Sequence, residues 1–313
     1  MGTEVTVTLA IAAGQAQRAE AAIAELRALI EQFGRDGWAW GAGALGAFNA
    51  ALARGEVASV PKSLQPLFAA AWRTRVRSGG CYEPRIAALV KLWGFDCMDH
   101  LRNAPPPLDL IATALAALHA APPYEGGDHY GPAPGIGWDL GGIGKGYIVD
   151  YGLRLLQQRG FSNAMLDAGG NLAARGVRSD RPWRAGVRDP RSPAHASQLL
   201  LTIDVADEAV ITHGDDQRYF DYAGQRYAHL IDPSSGWPVQ GLRALTVIDR
   251  DAARADSEGA ALFVAGAQCW PALARQLGLS QVLAVADDGS LQMTSALANR
   301  AQIFSNAPVA VIA

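Results

Sequence analysis

An α+β fold with mixed or antiparallel sheets and packed helices is predicted for this chain by three observations. Strand-like and helix-like stretches intermix without the regular βαβ alternation of a doubly wound sheet. The short turn Asp287-Asp288-Gly289 joins two strand-like runs as a hairpin. Half of the 313 residues are apolar, which is ample for a large core.

The elements follow in chain order. Val5, Val7 and Leu9 alternate with polar residues, the period of a half-buried strand, and Ala22, Ile23, Leu26, Leu29, Ile30 and Phe33 then recur at helical spacing up to Gly34. Trp38 to Gly46 reads as a Trp-rich and Gly-rich loop. Leu64, Leu67, Phe68, Ala71 and Trp72 mark a second helix and Leu110 to His119 another, separated by the proline run in Ala104 to Leu108. Ala121 to Gly137, rich in Pro and Gly, is expected as loop with one short strand. Tyr147 to Gln158 is expected as a helix closed by Gly160, and Ala164 to Asp167 as a strand entering Gly169-Gly170-Asn171. Leu199 to Val205, Ala209 to Thr212, Arg243 to Ile248, Gln281 to Ala286 and Leu291 to Thr294 read as strands, Ala252 to Ala265 and Trp270 to Leu277 as helices.

The net charge of −3 gives no electrostatic footprint for nucleic acid, and no basic amphipathic helix points to a membrane surface. Small ligands are favoured. Cys81, Cys97 and Cys269 are too few and too widely spaced for a disulfide framework or a metal-type pair, so buried thiols are expected. No charged-then-apolar leader precedes the first strand, and no apolar run approaches the roughly 20 residues that span a bilayer.

The most informative segment is Trp138 to Tyr151, WDLGGIGKGYIVDY. Gly141, Gly142, Gly144 and Gly146 would let the backbone approach a ligand, the helix behind them offers N–H groups and a positive dipole end, and Lys145 adds a full charge. Such a loop can hold a diphosphate, although a glycine-rich turn is also a common connection. It is not a Walker loop, because Gly146 follows Lys145 where Ser or Thr is required, and it lacks the dinucleotide-fold spacing. Further polar segments are Asp167 to Asn171, Thr212-His213-Gly214-Asp215, His229 to Pro238 (HLIDPSSGWP) and Ala255-Asp256-Ser257-Glu258. Each has an ordinary structural explanation: Asp before Pro or Gly forms turns, Asp256 could cap a helix, and a single His is often structural.

Together, in order and spacing, these segments resemble the ApbE family, the FAD:protein FMN transferases. The resemblance starts at Met1-Gly2-Thr3 and continues through Gly80-Cys81-Tyr82-Glu83, where the family has G-x-F-D, and Leu89 to Phe95 (LVKLWGF). DLGGIGKGY, LDAGGN, Pro182-Trp183, THGD, HLIDPSSGWP and Ala255 to Leu262 complete it. It implies one T-fold-like domain over residues 1–313, an extended FAD and Mg²⁺ at its diphosphate. FMN would move to a Thr hydroxyl of an acceptor redox protein with release of AMP. It also implies FAD contacts from Asp139, Lys145, Ile231 and Cys81-Tyr82-Glu83, a flavin ring bordered by Met1 and by Trp38 or Trp40, and His229 as base. The implied metal site comprises a carbonyl at Gly142, Asp256 and the position of Ala260. As written the chain would be soluble and cytoplasmic, or periplasmic, the family habit, with an export signal upstream.

Four departures bear on activity. Gly259 and Ala260 stand where the family has side-chain oxygens, Glu83 replaces Asp, and His213 replaces Ser. Glu258 lies off the face of Asp256 on an ideal helix and would serve the ion only if the helix began later. A carrier of FAD with a degenerate metal site, and a pyrophosphatase yielding FMN and AMP, are therefore the alternatives to a transferase.

Overall fold

The computed structural model describes residues 3–97, 101–192 and 198–312. β1 (Val5–Leu9) leads into α1 (Ala16–Asp36), which passes through Gly34 and ends where the Gly37 N–H bonds back to the Phe33 carbonyl. One interior glycine costs about 1 kcal/mol and does not stop a helix held by buried Ala22 and Leu26. α2 (Ala44–Ala53) begins inside the stretch expected as loop, because Leu45, Phe48 and Leu52 form a buried stripe among small residues that carry little periodic signal. β2 (Ala58–Ser59), α3 (Gln65–Arg77), α4 (Ala87–Leu92), α5 (Leu108–Ala120) and β3 (His129–Tyr130) follow, β3 pairing with β2.

α6 (Gly141–Gln158) starts six residues earlier than its apolar pattern suggests, so the glycines form its first turns instead of a loop before it. The rest is β4 (Ala164–Ala168), β5 (Asn171–Arg175), β6 (Trp183–Arg188), β7 (Leu199–Val205), β8 (Glu208–Gly214), β9 (Tyr219–Tyr222), β10 (Gln225–Ala228), β11 (Leu242–Asp249), α7 (Ala252–Leu277), β12 (Val282–Ala286), β13 (Leu291–Thr294), α8 (Ser295–Ala298), β14 (Gln302–Ile303) and β15 (Val309–Ile312). α7 is two helical pieces broken at Gly266, whose φ of 77° and ψ of 173° interrupt the ladder, which accounts for the two separate helical patterns in the sequence.

Among the described residues the main sheet has the order β1-β4-β5-β8-β11-β12-β13-β15. All neighbours pair antiparallel except β13 and β15. Side chains alternate between two cores. Ala173, Ile211, Leu245, Val247 and Ala284 face the helices, while Ala174, Val210, Ala244, Ile248 and Leu283 face the small sheet β14-β7-β6. α6 and α7 lie together on the helix face, with α1 packed behind α6. No helix among the described residues is long and apolar enough to cross a membrane. The thiols expected to be buried are not: Cys81 and Cys97 are half-buried and Cys269 is exposed.

Two of the α6 glycines serve packing. A Cβ at Gly146 would lie 2.1 Å from the Ala252 carbonyl oxygen, which is immovable backbone of α7. At Gly144 it would meet only the Phe33 ring at 3.5 Å, an ordinary contact. Gly146→Ala should therefore destabilise the fold by about 1–3 kcal/mol or more through overpacking, whereas Gly144→Ala should gain about 0.5–1 kcal/mol of helix preference. Urea unfolding of the two variants checks this, and equal effects would show that α6 and α7 do not cross as closely as described.

Candidate functional site

The site forms where the helix face of the central strands meets α6 and α7. Strand alternation sets Asn171, Ile211 and His213 on that face, with Asn171 opposite Ile211 and His213 opposite Leu245. Asp256 comes down from α7 and is wholly buried. Its Oδ2 accepts the Gly146 N–H at 2.9 Å and its Oδ1 accepts Asn171 Nδ2 at 3.0 Å. It is not the N-cap of α7: Asp251 is, accepting the Arg254 N–H. A fully buried carboxylate is tolerable only when its oxygens are hydrogen-bonded, and these two bonds join α7 to α6 and β5.

Around this carboxylate the first turn of α6 is lined by side chains from elsewhere. Asp139 accepts the Gly141 N–H at 2.8 Å. Gly142 faces the Tyr82 ring and the Ala260 methyl, which lie 3.2 and 3.8 Å from the point a Cβ would occupy. Tyr82 is buried, and its hydroxyl has no hydrogen-bond partner. Ala260 offers no side-chain donor to a metal, so its role there is spatial. Gly259 leaves room for His213: a Cβ at 259 would sit 2.9 Å from Cδ2 and Nε2 of that imidazole. Glu258 does not take over as a ligand, because it is buried between Arg254 at 2.9 Å and Arg77 at 3.1 Å.

Two imidazoles complete the cluster. His213 is held down to about 4 by burial, with Lys145 acting the same way, against the opposing pull of Asp256. His229 is held down to about 3, first by burial and then by Arg218, Lys145 and His213. Both are neutral at pH 7. His213 Nε2 and His229 Nδ1 are buried without partners. Burial pushes Asp139 up, against the Gly141 N–H and the charges of Arg218 and Lys145. Lys145 has no hydrogen bond or ion pair with another described residue.

The other expected residues are spread around this centre. Glu83 is not available as a ligand contact, since its carboxylate accepts from Arg75 Nε at 2.6 Å and from Arg85 Nε, Nη2 and N–H at 2.8 to 3.0 Å. That fills all its acceptor positions. Cys81 is half-buried, its thiol pushed up by burial and by Asp232 and Cys269. Ile231 is buried beside the turn in which Asp232 accepts from Ser234 and Ser235. Trp38 is 52% exposed and Trp40 half-buried; Met1 lies outside the described residues. Two site residues carried no signal in the sequence: Arg218 stands in a stretch without a motif, and Asn49 lies inside unforeseen α2, while Asn171 closes the LDAGGN segment but was not expected as a site residue. Asn49 donates to the Ala39 and Trp138 carbonyls and accepts the Trp138 N–H, which ties the Trp38–Trp40 loop to Asp139. An open cleft of about 350 Å³ is lined by Trp72, Arg75, Glu83, Arg85, His119 and Ser234 and contains none of the unpartnered atoms.

A family model, that of the ApbE family, matches residues 1–284. The FAD:protein FMN transferase of Rhodobacter capsulatus is 32% identical over 303 residues, covering 94% of this chain and 57% of that relative, so the chain spans little more than half its length. The Treponema pallidum protein of the same name is 30% identical over 281 residues, 83% of this chain and 75% of its own. Among solved structures, the ApbE protein of Thermotoga maritima matches with a TM-score of 0.81 at 26% identity, covering 96% of each chain. The apo flavinyl transferase ApbE of Pseudomonas stutzeri matches at 0.79 and 26%, covering 95% of this chain and 97% of its own.

The half-buried imidazole of His229, with its Nδ1 shut off from water, makes stability acid-sensitive. Unfolded, it takes a proton below about pH 6.5; folded, it cannot until about pH 3. The folded state is thus favoured above pH 6.5 and loses that advantage as pH falls toward 3. Between pH 7 and pH 5 the loss from this group should be on the order of 1–2 kcal/mol. Urea unfolding of wild type and His229→Gln at both pH values measures it. The variant should lose less; an equal loss would show that His229 titrates normally.

Proposed function

Since this chain belongs to the ApbE family, we propose that it is an FAD:protein FMN transferase, moving FMN from FAD to a Thr hydroxyl of an acceptor redox protein and releasing AMP. The observation that supports this most is the convergence of Lys145, Arg218 and two neutral imidazoles, each with one buried unpartnered nitrogen, on the glycine start of α6, beside Asp256. Cations beside the first turn of a helix suit a diphosphate.

In the reaction the Thr oxygen attacks the FMN-side phosphorus, its bond forms as the bond to the bridging oxygen breaks, and AMP leaves with that oxygen and its charge. The hydroxyl proton passes to His229. In the free protein this imidazole is a weak base first because it is desolvated and then because Arg218 and Lys145 sit near it. Two phosphate charges set beside those cations would offset that second part and raise the imidazole's basicity. Lys145 stabilises charge on the phosphates as the bond loosens. Asp139 holds the first turn of α6 through the Gly141 N–H.

Mg²⁺, the ion implied by the family resemblance, would be held at Asp256 near Gly142, and when bound it would neutralise charge on the diphosphate. The donors present fit a divalent cation that keeps several water and phosphate oxygens, because position 260 gives no side-chain oxygen and position 259 has no room for one.

Incubation with FAD, Mg²⁺ and a peptide bearing a Thr acceptor, read by mass spectrometry, tests the reading. A covalent FMN adduct is expected. AMP without adduct would make the protein a pyrophosphatase, and unchanged FAD a carrier. Calorimetry should show FAD bound more tightly than riboflavin, and Lys145→Ala should weaken FAD binding by roughly 1.5–3 kcal/mol. His229→Ala should slow transfer about 10²-fold to 10⁴-fold with FAD affinity nearly intact. If rate and affinity fall together, His229 holds the substrate or the fold instead of the proton.

A further inference from the structure

Asp256 does not stand alone at the start of α6. His213, 8% exposed, points its Nε2 toward Asp256 Oδ1 at 3.9 Å, which is too far for a hydrogen bond. That nitrogen is buried and has no partner. A buried polar atom left unsatisfied is destabilising. A second cost is accepted in the same place. Position 259 is glycine inside a helix, at about 1 kcal/mol against alanine, and only glycine leaves the imidazole its space, since any Cβ would stand 2.9 Å from Nε2. Close by, the Tyr82 hydroxyl is also buried and unpartnered, against Gly142 and Ala260.

We propose that His213 Nε2 is a direct ligand of the divalent cation at Asp256, making this a mixed nitrogen and oxygen site that takes a first-row transition dication such as Mn²⁺ in preference to Mg²⁺. Two donors each about 2.1 Å from one ion stand at most about 4.2 Å apart, so the observed spacing lies within reach of a single cation. Imidazole suits transition ions, while Mg²⁺ favours an all-oxygen shell. The Tyr82 hydroxyl is placed to donate to an oxygen of that shell, whether water or phosphate.

This deepens the transferase reading and rests on it only for the diphosphate oxygens. The test is pulsed electron paramagnetic resonance of Mn²⁺ bound to the full chain, recorded with FAD and without nucleotide, acceptor being absent. Wild type should show the coupling of a directly bound imidazole ¹⁴N, and His213→Ser should lose it. Titration of Mg²⁺ against bound Mn²⁺ should show the variant's preference for Mn²⁺ reduced at least about tenfold. Circular dichroism establishes that the variant is folded, and the wild-type spectrum is informative without it. Absence of ¹⁴N coupling or of bound Mn²⁺ in both wild-type samples, its retention in His213→Ser, or equal competition by Mg²⁺ in wild type would overturn the assignment. Flavin fluorescence reports FAD binding separately, so loss of the flavin reading and loss of the ligand assignment give different signals.

Discussion

The crossing of α6 and α7 at Gly146 is the constraint on which the site depends. With no side chain at 146, the two backbones come within contact distance, and the Gly146 N–H reaches the wholly buried carboxylate of Asp256. A second carboxylate repeats the link from the other side: Asp150 of α6 accepts the Ala253 N–H of α7 at 3.1 Å and pairs with Arg175 of β5 at 2.9 Å. Two helices and a strand are thus fixed by polar bonds that would be costly to leave unmade in a dry interior. The angle of the first α6 turn follows from this, and with it the direction of Lys145, the exposure of the Gly141 N–H to Asp139 and the approach of Gly142 to Tyr82. Asp256 holds the geometry and offers charge to the site with one group.

Electrostatics then separates acidic residues by role. Glu83 and Glu258 are buried beside arginines and their oxygens are occupied, so they stiffen the 78–85 loop and α7. Asp139 and Asp256 instead lie among Lys145, Arg218 and the histidines. Burial opposes every charge there, and the two imidazoles yield first, remaining neutral. The charges of Lys145 and Arg218 lower the basicity of His229 further than burial alone, and an anionic ligand beside them would offset that part.

The sequence was legible where period and chemistry coincide. The strands β1, β4, β7, β11 and β13 and the helices α3 and α5 follow their apolar patterns, and the break in α7 shows in its two separate stripes. α2 and the start of α6 were hidden because small residues carry no hydrophobic period, so runs of Gly and Ala read as loop while tertiary packing made them helix. Asp256, Lys145 and His229 could be chosen from motif order. Arg218 and Asn49 could not, since one arrives by a main-chain excursion before β9 and the other from a helix without a pattern of its own. Glu83 and Glu258 show the limit from the other side: carboxylates in suggestive positions whose partners, Arg75, Arg77 and Arg85, only the fold reveals.

Position-by-position comparison with the resemblance finds oxygens missing at 259 and 260 and reads depletion. The structure adds that these positions are not independent of 82 and 213. The imidazole of His213 and any side chain at 259 exclude each other within 3 Å, and the Tyr82 ring and Ala260 share the space in front of Gly142. Opposite these two positions, His213 Nε2 on β8 and the Tyr82 hydroxyl in the loop before α4 are buried polar atoms without partners. On the proposed assignment the nitrogen at 213 is a donor carried by the strand and not by α7. Such a donor is invisible to a count of ligands along one helix, because it comes from another element. The chemistry of the donor is what selects the ion.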